Sequence, residues 1–459
     1  MKARGQKPRS TPPRRRLLTG KLMVGFFWLF VLLLPALVFS PAGKENFRFP
    51  KLLVAECAGL ASLVFLSWRL RAAERVDLRR LVRQPVVLAL APILAVATLS
   101  LATTEHAPLV RQSLASLWIG AACLAGWSLG LRSGEHRWLL RGLLVPAALL
   151  AMLAVLQYHD LYNPFRFAGD VSARIGLTSL AGGAFDLSAY LVLPALVAQV
   201  VVGETLERGG PRQGLRIAGG VLLLALLVYA ILVTQTLTAL IALAASSLVL
   251  WGLLVPRRRL VTGLLVAAGV LALAVVAVAP LRARVEVKLA NLAQGDVNRF
   301  LTGRLDGWRA AGWMLRQHPL LGVGQGAYRA EFADAKLALH QQGVSFFRRQ
   351  HQVHFTNAHC DFLNVAAELG LLGIAALGWG LWQLGRACRR ATYLDVAMPP
   401  GQRFAAALRW AGFTGLACLA LAGFPFHLAV VAYPALLFLS WIFAAADSPD
   451  ADLPEGATA

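Results

Sequence analysis

Long apolar runs follow one another through most of this chain, and they limit its possible folds more than any other feature. Because 58% of the residues are hydrophobic, a single water-soluble core could not bury all of the apolar surface. About twelve runs are long enough for a helix to cross a hydrocarbon layer of about 30 Å. We therefore predict an all-α, polytopic membrane protein with about 12 transmembrane helices. The predicted spans cover residues 21–40, 51–68, 85–101, 114–131, 138–156, 184–202, 217–234, 236–255, 260–280, 360–384, 404–423 and 428–446.

Basic residues between the apolar runs predict the topology. The formal net charge is +22, and arginines concentrate in short clusters such as 69–83, 132–141, 208–216 and 257–259. Short loops rich in Lys and Arg mark the cytoplasmic side of a membrane, so we expect both termini to be cytoplasmic. Since the positive charge determines topology in this interpretation, it does not indicate a nucleic-acid partner.

This topology divides the chain into successive segments. We expect the run 21–40 to remain as the first span, because it is long for the apolar part of a cleaved signal and no typical cleavage site follows it. The apolar stretch 216–256 is too long for one span, so we predict two spans with a tight turn at 234–236. The segments are a basic cytoplasmic tail at 1–20, transmembrane helices 1–9 at 21–280, a large external loop at 281–358, transmembrane helices 10–12 at 359–446 and an acidic cytoplasmic tail at 447–459.

The external loop 281–358 contains two stretches with the periodicity of amphipathic helices. We expect both helices to lie over the membrane, separated by a turn at 322–326. No strand precedes that glycine-rich turn, so it does not indicate a nucleotide site. The loop carries more Lys and Arg than Asp and Glu, which favours an anionic partner. The two apolar stripes are Leu305, Trp308, Gly312 and Leu315, and then Tyr328, Phe332, Ala335 and Leu339.

A histidine at the start of the tenth span is the first candidate for chemistry. His359 follows Thr356 and Asn357, either of which could cap a helix, so we place it in the first helical turn. The positive end of the helix dipole disfavours an imidazolium there. A neutral ring can accept a proton. An ordinary histidine at the membrane boundary is an equal alternative.

Two carboxylates follow on the same predicted helix. Asp361 lies near its start, and Glu368 lies two turns deeper. A carboxylate at the depth of Glu368 must face the bundle interior and find a partner. We expect that partner to be an arginine, with a direct catalytic role as the second alternative.

Arginines outside the membrane are the best candidates for binding phosphate, because a guanidinium binds phosphoryl oxygens in pairs and stays charged. Arg174 lies in the external segment 157–183, and Arg304 opens the first predicted loop helix, which also carries Arg309. For a lone loop arginine, a solvated or headgroup-facing charge is the alternative.

The sequence predicts neither a metal nor a cofactor. His351, His354 and His359 do not have an established zinc-binding spacing. The five cysteines are scattered and form no C-x-x-C motif.

Several short motifs follow one another in the second half of the chain. They are Gly303-Arg304, Trp308, Pro319-Leu320-Leu321-Gly322-Val323-Gly324, His359, Phe362-Leu363, Glu368, Gly370 and Gly373. Their order resembles that of the O-antigen ligase and O-antigen polymerase superfamily. Members of this superfamily are bacterial inner-membrane glycosyltransferases with a large periplasmic loop before the motif histidine.

The resemblance implies a metal-independent, GT-C-like glycosyltransferase whose active site faces the periplasm. Its donor would be a glycan on undecaprenyl pyrophosphate, and its acceptor a hydroxyl group. Arg174 and Arg304 would neutralise the pyrophosphate leaving group. His359 would orient or deprotonate the acceptor, with inversion at the anomeric carbon. Arg309, Asp361 and Glu368 are expected to contribute to substrate binding.

The resemblance leaves several functions open. An O-antigen ligase with lipid A core as acceptor is favoured, and the alternatives are a polymerase with a glycan acceptor or a protein O-oligosaccharyltransferase. A 12-span transporter or flippase for lipid-linked glycans is the alternative from another class. Such transporters usually have repeat-related halves or broken helices near the membrane midplane. A non-catalytic scaffold for envelope assembly is the third interpretation.

Overall fold

The described part of the protein is helical and contains no strand. The computed structural model describes residues 28, 31–41, 46–71, 82–165, 177–263, 265, 269, 276, 279–346, 355–391 and 398–447. The helices with defined bounds are α1 (Arg48–Arg71), α2 (Pro85–Leu99), α3 (Ala107–Gly130), α4 (Ser133–Gly142), α5 (Leu144–Tyr158), α6 (Ala184–Arg208), α7 (Gln213–Val233), α8 (Leu237–Leu254), α9 (Ala279–Ala293), α10 (Val297–Phe300), α11 (Arg304–Gln317), α12 (Tyr328–Gln341), α13 (Asp361–Ala391), α14 (Pro400–Leu421) and α15 (Ala429–Asp447).

Ten helices in the described part of the chain are long and apolar enough to cross a membrane. They are α1, α2, α3, α4 continued by α5, α6, α7, α8, α13, α14 and α15. Each coincides with a predicted span, which confirms the prediction of an all-α polytopic membrane protein. The predicted spans 21–40 and 260–280 lie only partly within the described residues. The tails 1–20 and 448–459 lie outside them entirely.

The long apolar stretch 216–256 forms two helices, as predicted. Helix α7 ends at Val233 and α8 begins at Leu237. Between them Gln235 adopts a left-handed conformation with φ of 53°. This tight turn reverses the chain and lets both arginine clusters lie at the same end of the two helices.

Helix α6 lies at the centre of the bundle. Its apolar stretch is 89% buried, whereas that of the neighbouring α7 is only 22% buried. An acidic residue is buried near each end of α6, Asp186 in the first turn and Glu204 four residues before the end. Arg48 binds the first of these carboxylates and Arg141 the second. Because a carboxylate inside a membrane bundle needs a partner, these ion pairs fix both ends of the central helix.

The loop helices α11 and α12 pack against the ends of α2 and α3 and form a second hydrophobic core. The buried face of α12 consists of the predicted stripe of Tyr328, Phe332, Ala335 and Leu339. These two helices therefore pack on the bundle as a layer, which closes one end of α2 and α3.

The buried face of α11 is not the apolar stripe of its sequence. Leu305, Trp308 and Leu315 are only half-buried. The small residues of α11 make the contact instead: a Cβ atom added to Gly307 would lie 3.2 Å from the carbonyl oxygen of Ala358. A search for apolar periodicity gives most weight to large side chains. It therefore does not detect a helix face that packs closely through small side chains. The buried residues of α11 are Asp306, Gly307, Ala310, Ala311 and Met314.

The tenth predicted span is broken at Gly370. This residue has φ of 64° and ψ of −158°, so α13 consists of a short helical segment, a break and a long apolar segment. A break of this kind leaves backbone groups without their helical partners. Segment 319–324, between α11 and α12, supplies new partners on both sides. The hydrogen bonds run from Val323 N to Ala367 O (3.0 Å), Gly324 N to Glu368 O (2.9 Å), Leu371 N to Pro319 O (2.8 Å) and Leu372 N to Leu320 O (3.2 Å).

No side chain fits where segment 319–324 meets the break. A Cβ atom on Gly370 would lie 2.5 Å from the carbonyl carbon of Leu320, and one on Gly322 would lie 2.3 Å from that of Glu368. Both glycines also have positive φ values. The motif residues of segment 319–324 and Gly370 are therefore the two sides of one backbone contact.

We expect Gly370→Ala to lower the free energy of unfolding by at least about 2 kcal/mol, because it adds left-handed strain and a backbone overlap. Gly378→Ala is the matched control, since it lies later in the same helix and a Cβ atom there has no neighbour within 4 Å. Thermal unfolding of the purified proteins in one detergent would compare them. An unchanged melting temperature for Gly370→Ala would contradict the close contact.

Candidate functional site

His359 lies just outside the helix in which the sequence places it. Helix α13 begins at Asp361, and His359 has a left-handed backbone with φ of 52°. The side chain of Asn357 accepts a hydrogen bond from His359 N (3.0 Å), and that of Asn364 accepts one from Ala358 N (3.1 Å). The predicted position in the first helical turn is therefore wrong, because these asparagines stabilise a turn before the helix.

The ring of His359 is enclosed by aromatic side chains. Its centroid lies 5.0 Å from that of Phe355 and 5.0 Å from that of Phe424, both with edge-to-face geometry. Burial, followed by the positive charges of Arg304 and Arg48, lowers the pKa of His359 to about 4. The ring is therefore neutral near pH 7, through burial and two arginines in addition to any effect of the helix dipole.

Arg304 lies near His359 because α11 packs closely against the turn that precedes α13. It is the first residue of α11, and Gly307, one turn later, contacts Ala358, the residue before the histidine. The guanidinium of Arg304 also donates to the hydroxyl of Thr238 at the start of α8 (3.3 Å). Two residues that are distant in sequence, Arg304 and His359, thus belong to one site.

A second arginine, Arg48, belongs to the same site although sequence reasoning missed it. Its Nε and Nη2 atoms donate to the two carboxylate oxygens of Asp186 (3.0 and 3.1 Å). Its guanidinium carbon lies 5.6 Å from the ring centroid of Phe424, which packs against His359. One signal in the sequence could have identified Arg48. It is a basic residue at the external start of a span, where the predicted topology places few basic residues.

Asp361 binds a histidine that the sequence analysis also missed. His427, in the short 3₁₀ turn before α15, donates from Nδ1 to Asp361 Oδ1 (2.9 Å). Burial acts to lower the pKa of His427, but the hydrogen bond and charge of Asp361 and the charge of Glu368 raise it above its usual value. Asn364 approaches the other ring nitrogen at 3.3 Å. Asp361 therefore ties the start of α13 to the connection between the last two spans.

Glu368 is buried, as predicted. The prediction of an arginine partner is wrong, since its partners in the described part of the chain are not arginines. Its carboxylate accepts a hydrogen bond from Tyr328 N (3.4 Å) and interacts with the backbone of Gly326 and the side chain of Asn364. Backbone N–H groups at the start of α12 can satisfy this carboxylate because the break at Gly370 brings segment 319–324 next to it. Glu368 connects the loop helices to α13.

The remaining predicted site residues lie farther from the histidine or outside the described residues. Arg309 donates to the carbonyl oxygen of Ser345 (2.9 Å), beyond the end of α12. Arg174 lies outside the described residues, as do His351 and His354. In the described part of the chain, no group of three or more His, Cys, Asp or Glu side chains could hold a metal ion.

Comparison with known proteins identifies one related family. Residues 222–378 match a family model described as O-antigen ligase. This match extends from α7 through the loop helices to the middle of α13, and it includes Arg304 and His359. No curated protein matches the chain.

We expect His359 to stay neutral down to about pH 4. Arg304→Gln should raise this pKa part of the way toward the usual value of about 6.5, because one positive charge is removed while burial remains. ¹⁵N-histidine NMR titration would measure both values, with His359→Gln to assign the signal. Arg316→Gln, at the exposed end of α11, should leave the titration unchanged. A midpoint near pH 6.5 in the unmodified protein would contradict the enclosed site.

Proposed function

We propose that this chain is a transferase of the O-antigen ligase and polymerase superfamily, which its match over residues 222–378 supports, and that it transfers a glycan from undecaprenyl pyrophosphate to a hydroxyl acceptor. Lipid A core is the favoured acceptor. The reaction would occur at the periplasmic face of the bacterial inner membrane, with both termini in the cytoplasm. These details of substrate and location are the proposal, and they go beyond the general O-antigen-ligase type of function that the family match supports.

The observation that carries the proposal is the close association of Arg304 and His359. The contact between Gly307 and Ala358 brings a permanent cation to a neutral imidazole. A neutral imidazole can accept a hydrogen bond or a proton from a hydroxyl group. A guanidinium can bind phosphate oxygens in pairs. The imidazole of His359 suits the hydroxyl acceptor, and the guanidinium of Arg304 suits the pyrophosphate leaving group of the same transfer.

In the proposed mechanism, the acceptor hydroxyl attacks the anomeric carbon of the glycan while the bond to the pyrophosphate oxygen breaks. Arg304 stabilises the negative charge that develops on the leaving pyrophosphate. His359 accepts a hydrogen bond from the attacking hydroxyl, orients it for displacement from the opposite face and takes its proton as the new bond to the anomeric carbon forms. The configuration at the anomeric carbon is therefore inverted. No step requires a metal ion.

Arg174 is retained in the proposal as a further phosphate-binding residue. It lies outside the described residues, but the residues that flank its segment contact the region of Arg48. The ring of Phe165 lies 5.2 Å from that of Phe47, and a Cβ atom added to Gly182 would lie 2.6 Å from the Cβ of Phe47. The residues on both sides of the segment that contains Arg174 thus lie beside Phe47, which immediately precedes Arg48.

We expect His359→Ala and Arg304→Ala each to reduce transfer by about 10²-fold or more, because each removes a group that acts on the reacting atoms. The assay would combine a purified lipid-linked donor with lipid A core, and mass spectrometry would identify the product. Arg316→Ala, at the far end of α11, is the control and should retain activity.

The same assay separates the alternatives. A second donor molecule as the preferred acceptor would identify a polymerase, and a glycosylated peptide would identify a protein O-oligosaccharyltransferase. Donor movement across a vesicle membrane without any new glycosidic bond would identify a flippase. Full transfer activity in either alanine variant would rule out the proposed roles.

We also expect EDTA to leave transfer unchanged, because charge stabilisation in the proposed site comes from arginines. The measurement is the rate with EDTA and the rate after zinc or magnesium is added back. Loss of activity in EDTA with recovery on addition of zinc would contradict the proposal and favour a metal site at the histidines.

A further inference from the structure

Arg48 combines a fixed orientation with substantial exposure. Its side chain is 49% exposed, whereas the side chain of its partner Asp186 is only 2% exposed. A buried carboxylate that accepts two parallel hydrogen bonds from a guanidinium holds it in one orientation. Such a guanidinium is prepared to bind a second anion without first losing side-chain freedom.

The surroundings of Arg48 suit the headgroup region of a lipid. It is the first residue of a helix that can cross the membrane, so its charge lies at one end of that span. Beside it lies a cluster of the three aromatic rings of Phe39, Phe47 and Phe165, with centroid distances of 5.0 to 6.2 Å. Phe39 is 42% exposed and the neighbouring Phe49 is 57% exposed. A phosphate on an apolar chain fits this combination of one cation and exposed aromatic surface.

Arg48 and Arg304 approach the same imidazole from different parts of the chain. Arg48 reaches it over Phe424, whose ring contacts that of His359. Arg304 reaches it through the contact of α11 with Ala358. The charges of both arginines act on the His359 ring. A pyrophosphate carries charge on two phosphoryl groups. One guanidinium can bind only one of these groups in a bidentate manner, through two parallel hydrogen bonds.

We propose that Arg48, oriented by Asp186, binds a phosphate of the lipid-linked donor beside His359. This inference rests on the proposed function, because it assigns the second arginine of the same site to the same donor. The competing explanation is that Arg48 only neutralises the buried Asp186. That explanation makes a different prediction for variants in which both charges are removed.

The experiment compares paired variants. Arg48→Gln combined with Asp186→Asn removes both charges of this ion pair but keeps groups that can hydrogen-bond. The charge of Asp186 also acts on the buried Lys51, whose ammonium keeps its hydrogen bonds to backbone carbonyl oxygens in this variant. Arg141→Gln combined with Glu204→Gln is the matched control. That pair joins an arginine that is 44% exposed to a carboxylate that is 6% exposed, at the opposite end of α6.

The measurement is the affinity of each purified protein for undecaprenyl pyrophosphate without a glycan, together with the donor and acceptor KM values. We expect the Arg48/Asp186 double variant to keep its melting temperature, to bind the probe about 10- to 100-fold more weakly and to show a donor KM raised by a similar factor. The acceptor KM should stay unchanged. The Arg141/Glu204 pair should bind the probe as the unmodified protein does.

Each alternative outcome is distinct. If the Arg48/Asp186 pair binds undecaprenyl pyrophosphate normally, Arg48 has only a structural role and the inference is overturned, while the proposed function stands. If vesicles of phosphatidylglycerol compete as well as the probe does, the site binds ordinary lipid headgroups and the inference also fails. If the unmodified protein does not bind the probe at all, the inference and the proposed donor fail together.

Discussion

The backbone contact between segment 319–324 and the break at Gly370 positions most of the site. In apolar surroundings, unpaired backbone groups are costly, and this contact pairs groups on both sides of the break. It joins the loop helices to α13 and brings Glu368 to the start of α12. With α13 fixed in this way, the turn that carries His359 lies against α11 and therefore near Arg304. The position of the histidine relative to the arginine thus depends on Gly322 and Gly370, which lie in the backbone contact and not beside the imidazole.

The long apolar spans could be predicted from the sequence, since a helix that crosses a membrane must be apolar over a known length. The two-span interpretation of 216–256 was right for the same reason. The buried face of α11 could not be predicted by periodicity, because Gly307 and its small neighbours make the contact. His359 and Arg304 were chosen as candidate site residues from motif order and side-chain chemistry. The turn at His359 depends on Asn364, whose hydrogen bond to Ala358 only the folded chain reveals.

The partners that sequence reasoning missed are separated from their contacts by long stretches of chain. Arg48 and Asp186 are 138 positions apart, and His427 is 66 positions from Asp361. No local pattern connects such residues, because bundle packing brings them together. Charge placement gave the best available signal, since ionised groups near a bundle interior must find partners. That reasoning predicted a buried Glu368 correctly, but it could not show that backbone groups would replace an arginine.

The turn at His359 requires a residue that tolerates a left-handed backbone, whereas the candidate site requires the imidazole ring. Side chains other than glycine are uncommon in this conformation, and asparagine and histidine are among the more frequent exceptions. Asparagine or glycine at this position would fit the backbone with no more strain, yet either would lack the ring that fills the space between Phe355 and Phe424. Substitution by asparagine thus offers a way to remove the imidazole while preserving the turn. Under the proposed mechanism, a protein altered in this way would bind the donor without transferring its glycan, which would allow the complex before the reaction to be captured.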